Sequence, residues 1–186
     1  MTATSTPPGT TAAQLAGETS TRGEWTRQAT RVTGRISRSS TSAPGEGPDG
    51  KGRWPVEAGR YRLVVCLACP WAHRALIVRG LPGLPEAISL AVVVPIRDEA
   101  GWRSTLDGSH RDPVLDIEFL REAYLLTDPS SSGRVTVPCI VDTLTGRVVT
   151  NDYPQVTLAL STEWGATTAP VPPTCGRRTG GTSCSR

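Results

Sequence analysis

Apolar residues gather between Tyr61 and Leu160, in dense runs such as Leu63-Val64-Val65 and Leu90-Ala91-Val92-Val93-Val94, whereas positions 1–50 are mostly Thr, Ser, Gly, Pro, Arg and Ala. The core is therefore expected in the middle of the chain. Residues 61–66 form a short β-branched run of strand type. Leu67-Ala68-Cys69-Pro70 then turns into a stretch from Trp71 in which Ala72, Ala75, Leu76 and Arg79 recur at helical spacing. Pro70 suits the first helical position, where a backbone N–H has no partner to lose. Gly80, Pro82 and Gly83 stop the helix. Residues 88–94 are continuously apolar over strand length, which predicts a parallel strand covered on both faces.

Residues 95–113 read as an extended insertion around Gly101-Trp102 and Asp107-Gly108, followed by a helix over 114–127 with Leu115, Phe119, Ala123 and Leu126 on one side. Strands over 136–141 and 147–150 are joined by Asp142-Thr143-Leu144-Thr145-Gly146, a loop of hairpin chemistry. Asn151 or Asp152 can cap a last helix through Leu160. The order βαβαββα, with Pro138 inside a strand where it cannot donate to a ladder, predicts an α/β domain with a thioredoxin-like sheet. That domain is expected over 53–164. Residues 1–52 read as a flexible polar leader, in which an arm over 25–37, bearing Trp25, Val32 and Ile36, could lie on the domain. Beyond Trp164, residues 165–186 turn rich in Pro, Gly, Arg and Ser and predict a disordered tail.

Composition agrees with a core confined to part of the length, since only 37% of the 186 residues are hydrophobic and 5% aromatic. A formal charge of +3, with scattered arginines, argues against a nucleic-acid partner. No apolar run approaches the roughly 18 residues that cross a bilayer, and no secretory pattern opens the chain, so the expected location is the cytoplasm. Five cysteines, an odd number without framework spacing, fit a reducing compartment.

The candidate nucleophile is Cys69. At a strand-to-helix junction, unpaired N–H groups and the helix dipole favour an anion, so its thiolate is expected to be stabilised. A thiolate can attack sulfur or an electrophilic carbon. Cys69-Pro70-Trp71-Ala72 is a glutaredoxin-type motif with alanine in place of the second cysteine, hence a monothiol site. A Cys66–Cys69 redox pair is the competing reading, disfavoured because Cys66 still lies on the strand. His73 with both cysteines makes a poor zinc start without a fourth ligand, so no metal is expected. Cys139 reads as packing, and Cys175 and Cys184 as incidental tail residues. The Val137–Pro138 bond is expected to be cis, exposing Val137 backbone groups to an extended thiol peptide. Asp152 could hold the amino group of a γ-glutamyl ligand or serve as a simple N-cap.

The block from Gly59-Arg60-Tyr61-Arg62-Leu63 through Leu67-Ala68-Cys69-Pro70-Trp71-Ala72-His73-Arg74, with Gly101-Trp102, Asp128-Pro129, Ser132-Gly133-Arg134-Val135-Thr136-Val137-Pro138 and Asn151-Asp152, resembles glutathionyl-hydroquinone reductases, the Xi-class or omega-like glutathione transferases. The resemblance spans about 54–164. It implies that Cys69 attacks the sulfur of a glutathionyl-hydroquinone, releases hydroquinone and forms a mixed disulfide that a second thiol resolves. It further implies that Trp102 lies against glutathione, that Arg134, Val135, Thr136 and Val137 supply charge and backbone contacts, and that Asp152 replaces a glutamate.

Two departures accompany it. Asp152-Tyr153-Pro154-Gln155 stands where Glu-Ser and then Ser-Glu are usual, which alters the γ-glutamyl pocket and makes mycothiol an alternative to glutathione. The family also continues as a helical domain with no counterpart after Trp164, so a truncated chain of low activity, prone to associate as a homodimer, is expected. The remaining alternatives are a monothiol glutaredoxin-like reductase of mixed disulfides and a non-catalytic fragment that binds a thiol or a partner.

Overall fold

A computed structural model describes residues 22–165, apart from Trp25, Arg27, Pro82, Glu99, 106–108, Ser132 and Gly133. The expectations for Trp25, for Asp107-Gly108, for Ser132-Gly133, for the start of the leader and for the tail with Cys175 and Cys184 lie outside the described residues.

The elements in chain order are β1 (Arg35–Ile36), β2 (Arg53–Trp54), β3 (Tyr61–Val65), α1 (Pro70–Arg79), α2 (Leu84–Ala87), β4 (Ile88–Val92), α3 (Leu120–Thr127), β5 (Cys139–Asp142), β6 (Val148–Thr150) and α4 (Tyr153–Thr162). A four-stranded sheet runs β4-β3-β5-β6. β3 pairs in parallel with β4, Leu63 opposite Leu90, and antiparallel with β5, Leu63 opposite Ile140. β5 and β6 close an antiparallel hairpin. This mixed sheet, with helices on its faces, is a thioredoxin-like α/β fold.

Strand alternation distributes the core over two layers. Tyr61, Leu63, Val65, Ile140 and Val149 join Ala72 and Ala75 of α1, Val156 and Leu160 of α4, and Trp164. Tyr61 and Trp164 meet edge to face, centroids 6.1 Å apart. On the other side Val64, Cys66, Cys139, Val141 and Val148 pack with Leu120, Ala123 and Tyr124 of α3, and with Ile117, Val135 and Val137. Because both faces are covered, all five residues of β3 are buried. Each such aliphatic side chain contributes about 1.5–3 kcal/mol on burial.

Three expectations change. The parallel pairing of the 88–94 run holds, but β4 lies at the edge of the sheet and Val92 is 41% exposed, so it is not a doubly covered strand. The helix expected from 114 starts at Leu120. The Asp112 carboxylate captures the N–H groups of Val114 and Leu115 at 2.9 and 2.8 Å, and Asp116 adopts φ +52°, so helical dihedrals cannot run through this stretch. Glu122 then accepts from the N–H groups of Glu118 and Phe119, which sets the new start. Its buried face is Leu120, Ala123 and Tyr124, whereas Leu126 is exposed.

The third change concerns the leader. Within the described part of the leader, the chain pairs Arg35 and Ile36 with Arg53 and Trp54, and Ile36 and Trp54 are core residues. The Asn151 N–H donates to the Val32 carbonyl at 3.0 Å, and Arg38 donates to the carbonyls of Thr162 and Glu163 at the end of α4. The arm thus docks from Gln28 onward, where the Gln28 side chain accepts from the Arg134 N–H at 3.3 Å. Among the described residues, no helix is long and apolar enough to cross a membrane.

Candidate active site

Cys69 occupies the N-cap of α1 with extended backbone, and its carbonyl accepts the first helical bonds, from the N–H groups of Ala72 and His73 at 3.1 and 3.2 Å. Pro70 at the first helical position fixes where the helix begins. The turn is braced from both sides: the Cys69 N–H donates to the Cys66 carbonyl at 3.0 Å, and the His73 ring nitrogen lies 2.7 Å from the Leu67 carbonyl. This accounts for His73 as an organiser of the turn. The half-buried Cys69 sulfur therefore sits at the positive end of a ten-residue helix.

Opposite it, the Val137–Pro138 bond is cis, and the Cys69 thiol donates to the Val137 carbonyl at 3.7 Å. A cavity of about 220 Å³ opens between them, lined by Cys69, Trp71, Arg97, Trp102 and residues 134–137. Six of the seven anticipated residues, Cys69, Trp102, Arg134, Val135, Thr136 and Val137, thus share one cavity. Trp102 is anchored by donation from its indole N–H to the Val135 carbonyl at 3.3 Å, and the Arg97 guanidinium lies 5.2 Å from its ring centroid. Two guanidinium groups on the wall suit an anionic ligand, such as a thiol bearing carboxylates.

Asp152 does not line this cavity. Its carboxylate caps α4 by accepting from the Gln155 N–H at 3.4 Å. Next to it, Tyr153 stacks on Trp71 with centroids 5.6 Å apart, and Trp71 remains 43% exposed. Trp71 and Arg97 carry no role in the sequence reading; the position of Trp71, two residues after the nucleophile on the first helical turn, was the available signal, whereas Arg97 had none.

The other cysteines are placed differently. Cys66 and Cys139 are fully buried in the core between the sheet and α3. Burial pushes the Cys139 thiol up to about 12, so it stays protonated at neutral pH. A second cavity of about 220 Å³ lies between the arm and α4, lined by Arg35, Gln155 and Glu163 among others, without a cysteine. Among the described residues, no three His, Cys, Asp or Glu side chains converge as a metal site.

A thioredoxin-like sheet that presents a cysteine at the first helix, across from a cis-proline strand end, is an arrangement common to thiol-handling proteins of this fold, glutathione transferases among them. Comparisons narrow the class: the chain matches the N-terminal domain of the Xi-class glutathione transferases. It is 43% identical over 122 residues to glutathionyl-hydroquinone reductase YqjG of Escherichia coli, covering 64% of this chain and 37% of that protein. To glutathionyl-hydroquinone reductase PcpF of Sphingobium chlorophenolicum it is 39% identical over 102 residues, 54% of this chain and 32% of the relative.

Among solved structures, a glutathione transferase from Gordonia bronchialis superposes with a TM-score of 0.65 at 43% identity, over 74% of this chain and 40% of that one. The glutathione-bound structure of YqjG superposes with a TM-score of 0.62 at 37% identity, over 74% and 44%. No family model matches the chain. The chain spans less than half the length of the relatives it matches.

Proposed function

We propose that this domain is the thiol-binding half of a reductase that removes glutathione, or a related thiol such as mycothiol, from glutathionyl-hydroquinones. The Cys69 thiolate attacks the thioether sulfur. An S–S bond forms, the C–S bond breaks, and the departing ring carbon takes the electron pair and a proton to give hydroquinone. A second thiol then attacks the mixed disulfide, restoring Cys69 and leaving with the first thiol as a disulfide. In this scheme Trp102 walls the thiol, Arg97 and Arg134 draw its carboxylates, and the backbone of Val135, Thr136 and Val137 aligns it beside the sulfur. Asp152 caps α4 next to this site rather than lining it.

The observation that carries the proposal is the half-buried Cys69 sulfur facing the Val137 carbonyl across a cavity bordered by two arginines. The relatives named as glutathionyl-hydroquinone reductases, and the glutathione-bound one among the solved structures, support the same substrate class. The reading includes the cytoplasm, where thiols remain reduced, and a homodimer. The test is to incubate the protein with a glutathionyl-hydroquinone, and separately with oxidised glutathione or mycothiol disulfide, and to locate adducts by mass spectrometry. A mixed disulfide on Cys69 with hydroquinone released is expected, and an unmodified Cys69 removes the proposal.

One observation favours a second reading. The cavity is open and bordered by Trp71, which is 43% exposed, a mouth that could admit a protein-borne mixed disulfide, as in a monothiol glutaredoxin-like reductase. Reduction of glutathionylated protein with no release from glutathionyl-hydroquinone would select it.

A further inference from the structure

Behind the cavity wall lies a buried phenol that the reaction does not use. Tyr124, on α3, is 4% exposed, and its hydroxyl donates to the Thr136 carbonyl at 2.9 Å. The same oxygen accepts from the Thr136 N–H at 3.3 Å and lies 3.5 Å from the Thr136 hydroxyl. One side chain thus takes up both backbone polar groups of the central residue of the 135–137 segment, which leads into β5. Burial, and secondarily Cys139, push the phenol far above its ordinary range, so it remains a donor at any working pH.

The carbonyls of successive residues in this segment take partners on different sides. Those of Val135 and Val137 meet the indole N–H of Trp102 and the thiol of Cys69, both cavity residues, and that of Thr136 is turned away to Tyr124. Rotation of the Thr136 peptide groups would swing the Val137 carbonyl off the sulfur. Asn151 adds a second tie, donating from its side-chain amide to the Thr136 hydroxyl at 3.0 Å, and its own N–H is held by the docked arm at Val32. We infer that Tyr124 is a positioning residue of the thiol site, fixing from the rear of the wall the 135–137 segment on which a thiol ligand is aligned beside Cys69. This rests on the thiol-binding reading given above.

The test follows modification of Cys69 by oxidised glutathione, in which the thiolate attacks one sulfur and the other leaves as glutathione. Its rate is measured as a function of concentration, alongside modification by iodoacetamide, which needs no thiol cradle. Tyr124→Phe is expected to raise the half-saturating concentration of oxidised glutathione about tenfold, the equivalent of about 1.4 kcal/mol, while the iodoacetamide rate and the limiting rate stay within about threefold of wild type.

Thr136→Val removes only the hydroxyl that meets Tyr124 and Asn151; about a threefold rise of the same kind is expected, and this variant decides if Tyr124→Phe fails to fold. Unchanged half-saturation, or an equal fall in both reagents' rates, overturns the inference. A wild-type chain that oxidised glutathione never modifies removes the thiol-binding reading and this inference together, whereas a modified wild type with an indifferent Tyr124→Phe removes this inference alone.

Discussion

At the N-terminal end of β3, Arg60 donates to Asp142 at 2.8 Å and to Glu57 at 3.0 Å, with its side chain 1% exposed and its guanidinium 5.4 Å from the Trp54 ring centroid. Past the other end of the same strand, Arg97 and Arg134 border an open cavity beside a half-buried thiol. Enclosed, paired charge closes the structure: Arg60 joins the β5–β6 turn, through Asp142, to the carbonyl of Glu46 in the loop between β1 and β2. Charge bordering solvent-filled space instead leaves a place for a ligand. One end of the strand is thus closed by matched charge and the other left open beside a thiol, and substitutions should separate the two.

The sharpest separation is expected from Cys69→Ser. It should abolish the mixed disulfide with oxidised glutathione at position 69, read by peptide mass spectrometry, while urea unfolding moves by no more than about 0.5 kcal/mol, as for a partly exposed change of one atom. Adduct formation persisting at Cys66 or Cys139 would break the comparison, because both are fully buried behind the cavity. Asp142→Ala is the mirror experiment. It leaves Arg60 buried with its closest carboxylate gone, at a cost of about 3–5 kcal/mol in unfolding free energy. The folded fraction should keep the wild-type rate of Cys69 alkylation, and an equal loss of both would show that the two ends are not separate.

The division between local and distant contacts also decides what could be seen in the sequence. The β3-turn-α1 unit, the monothiol Cys69, the cis bond at Pro138 and the hairpin after Asp142 all follow from neighbouring residues. So does the cluster of Trp102 and residues 134–137, given the family resemblance. The docked arm was not legible as a strand, because Arg35–Ile36 is two residues long and its partner Arg53–Trp54 lies on the far side of a Pro- and Gly-rich stretch. Nor was the late start of α3, which an Asp112 side chain imposes against an apolar period that would otherwise continue. Asp112 is itself held by Arg62 at 2.8 Å, a buried pair fifty residues apart in sequence that no spacing rule reveals. Tyr124 escaped for the same reason: its partners are on Thr136, and only the folded sheet brings them together.

A smaller effect is expected at alkaline pH. Burial raises the Cys139 thiol from an ordinary 9.0 to about 12 in the folded chain, so the folded state holds a proton that the unfolded state releases first. Stability from this group is complete below about pH 9 and falls between about 9 and 12, by about 1.4 kcal/mol for each pH unit. Burial also raises the Tyr61 and Tyr124 phenols, which adds to the decline above about pH 10. Urea unfolding at neutral pH and at about pH 11 measures the slope, and Cys139→Val should make it shallower. An unaltered slope in that variant would mean that Cys139 is not enclosed as its place between the sheet and α3 requires.

The least change is expected at Asp152, which tests where the chemical end of the molecule stops. As a cap, its carboxylate needs only an acceptor, and asparagine provides one, so Asp152→Asn should leave both stability and the half-saturating concentration of oxidised glutathione within about twofold. Asp152→Ala should cost about 1 kcal/mol of stability with the same indifference in binding. A carboxylate that instead grips the amino group of a γ-glutamyl thiol would be exposed by the asparagine variant: neutralising the charge while keeping the cap would then weaken oxidised glutathione by at least about tenfold, as loss of a charge-assisted bond of about 1.5–3 kcal/mol does. Because the two variants differ in cap and charge independently, that result would extend the ligand-facing region to the start of α4, next to the Trp71–Tyr153 stack.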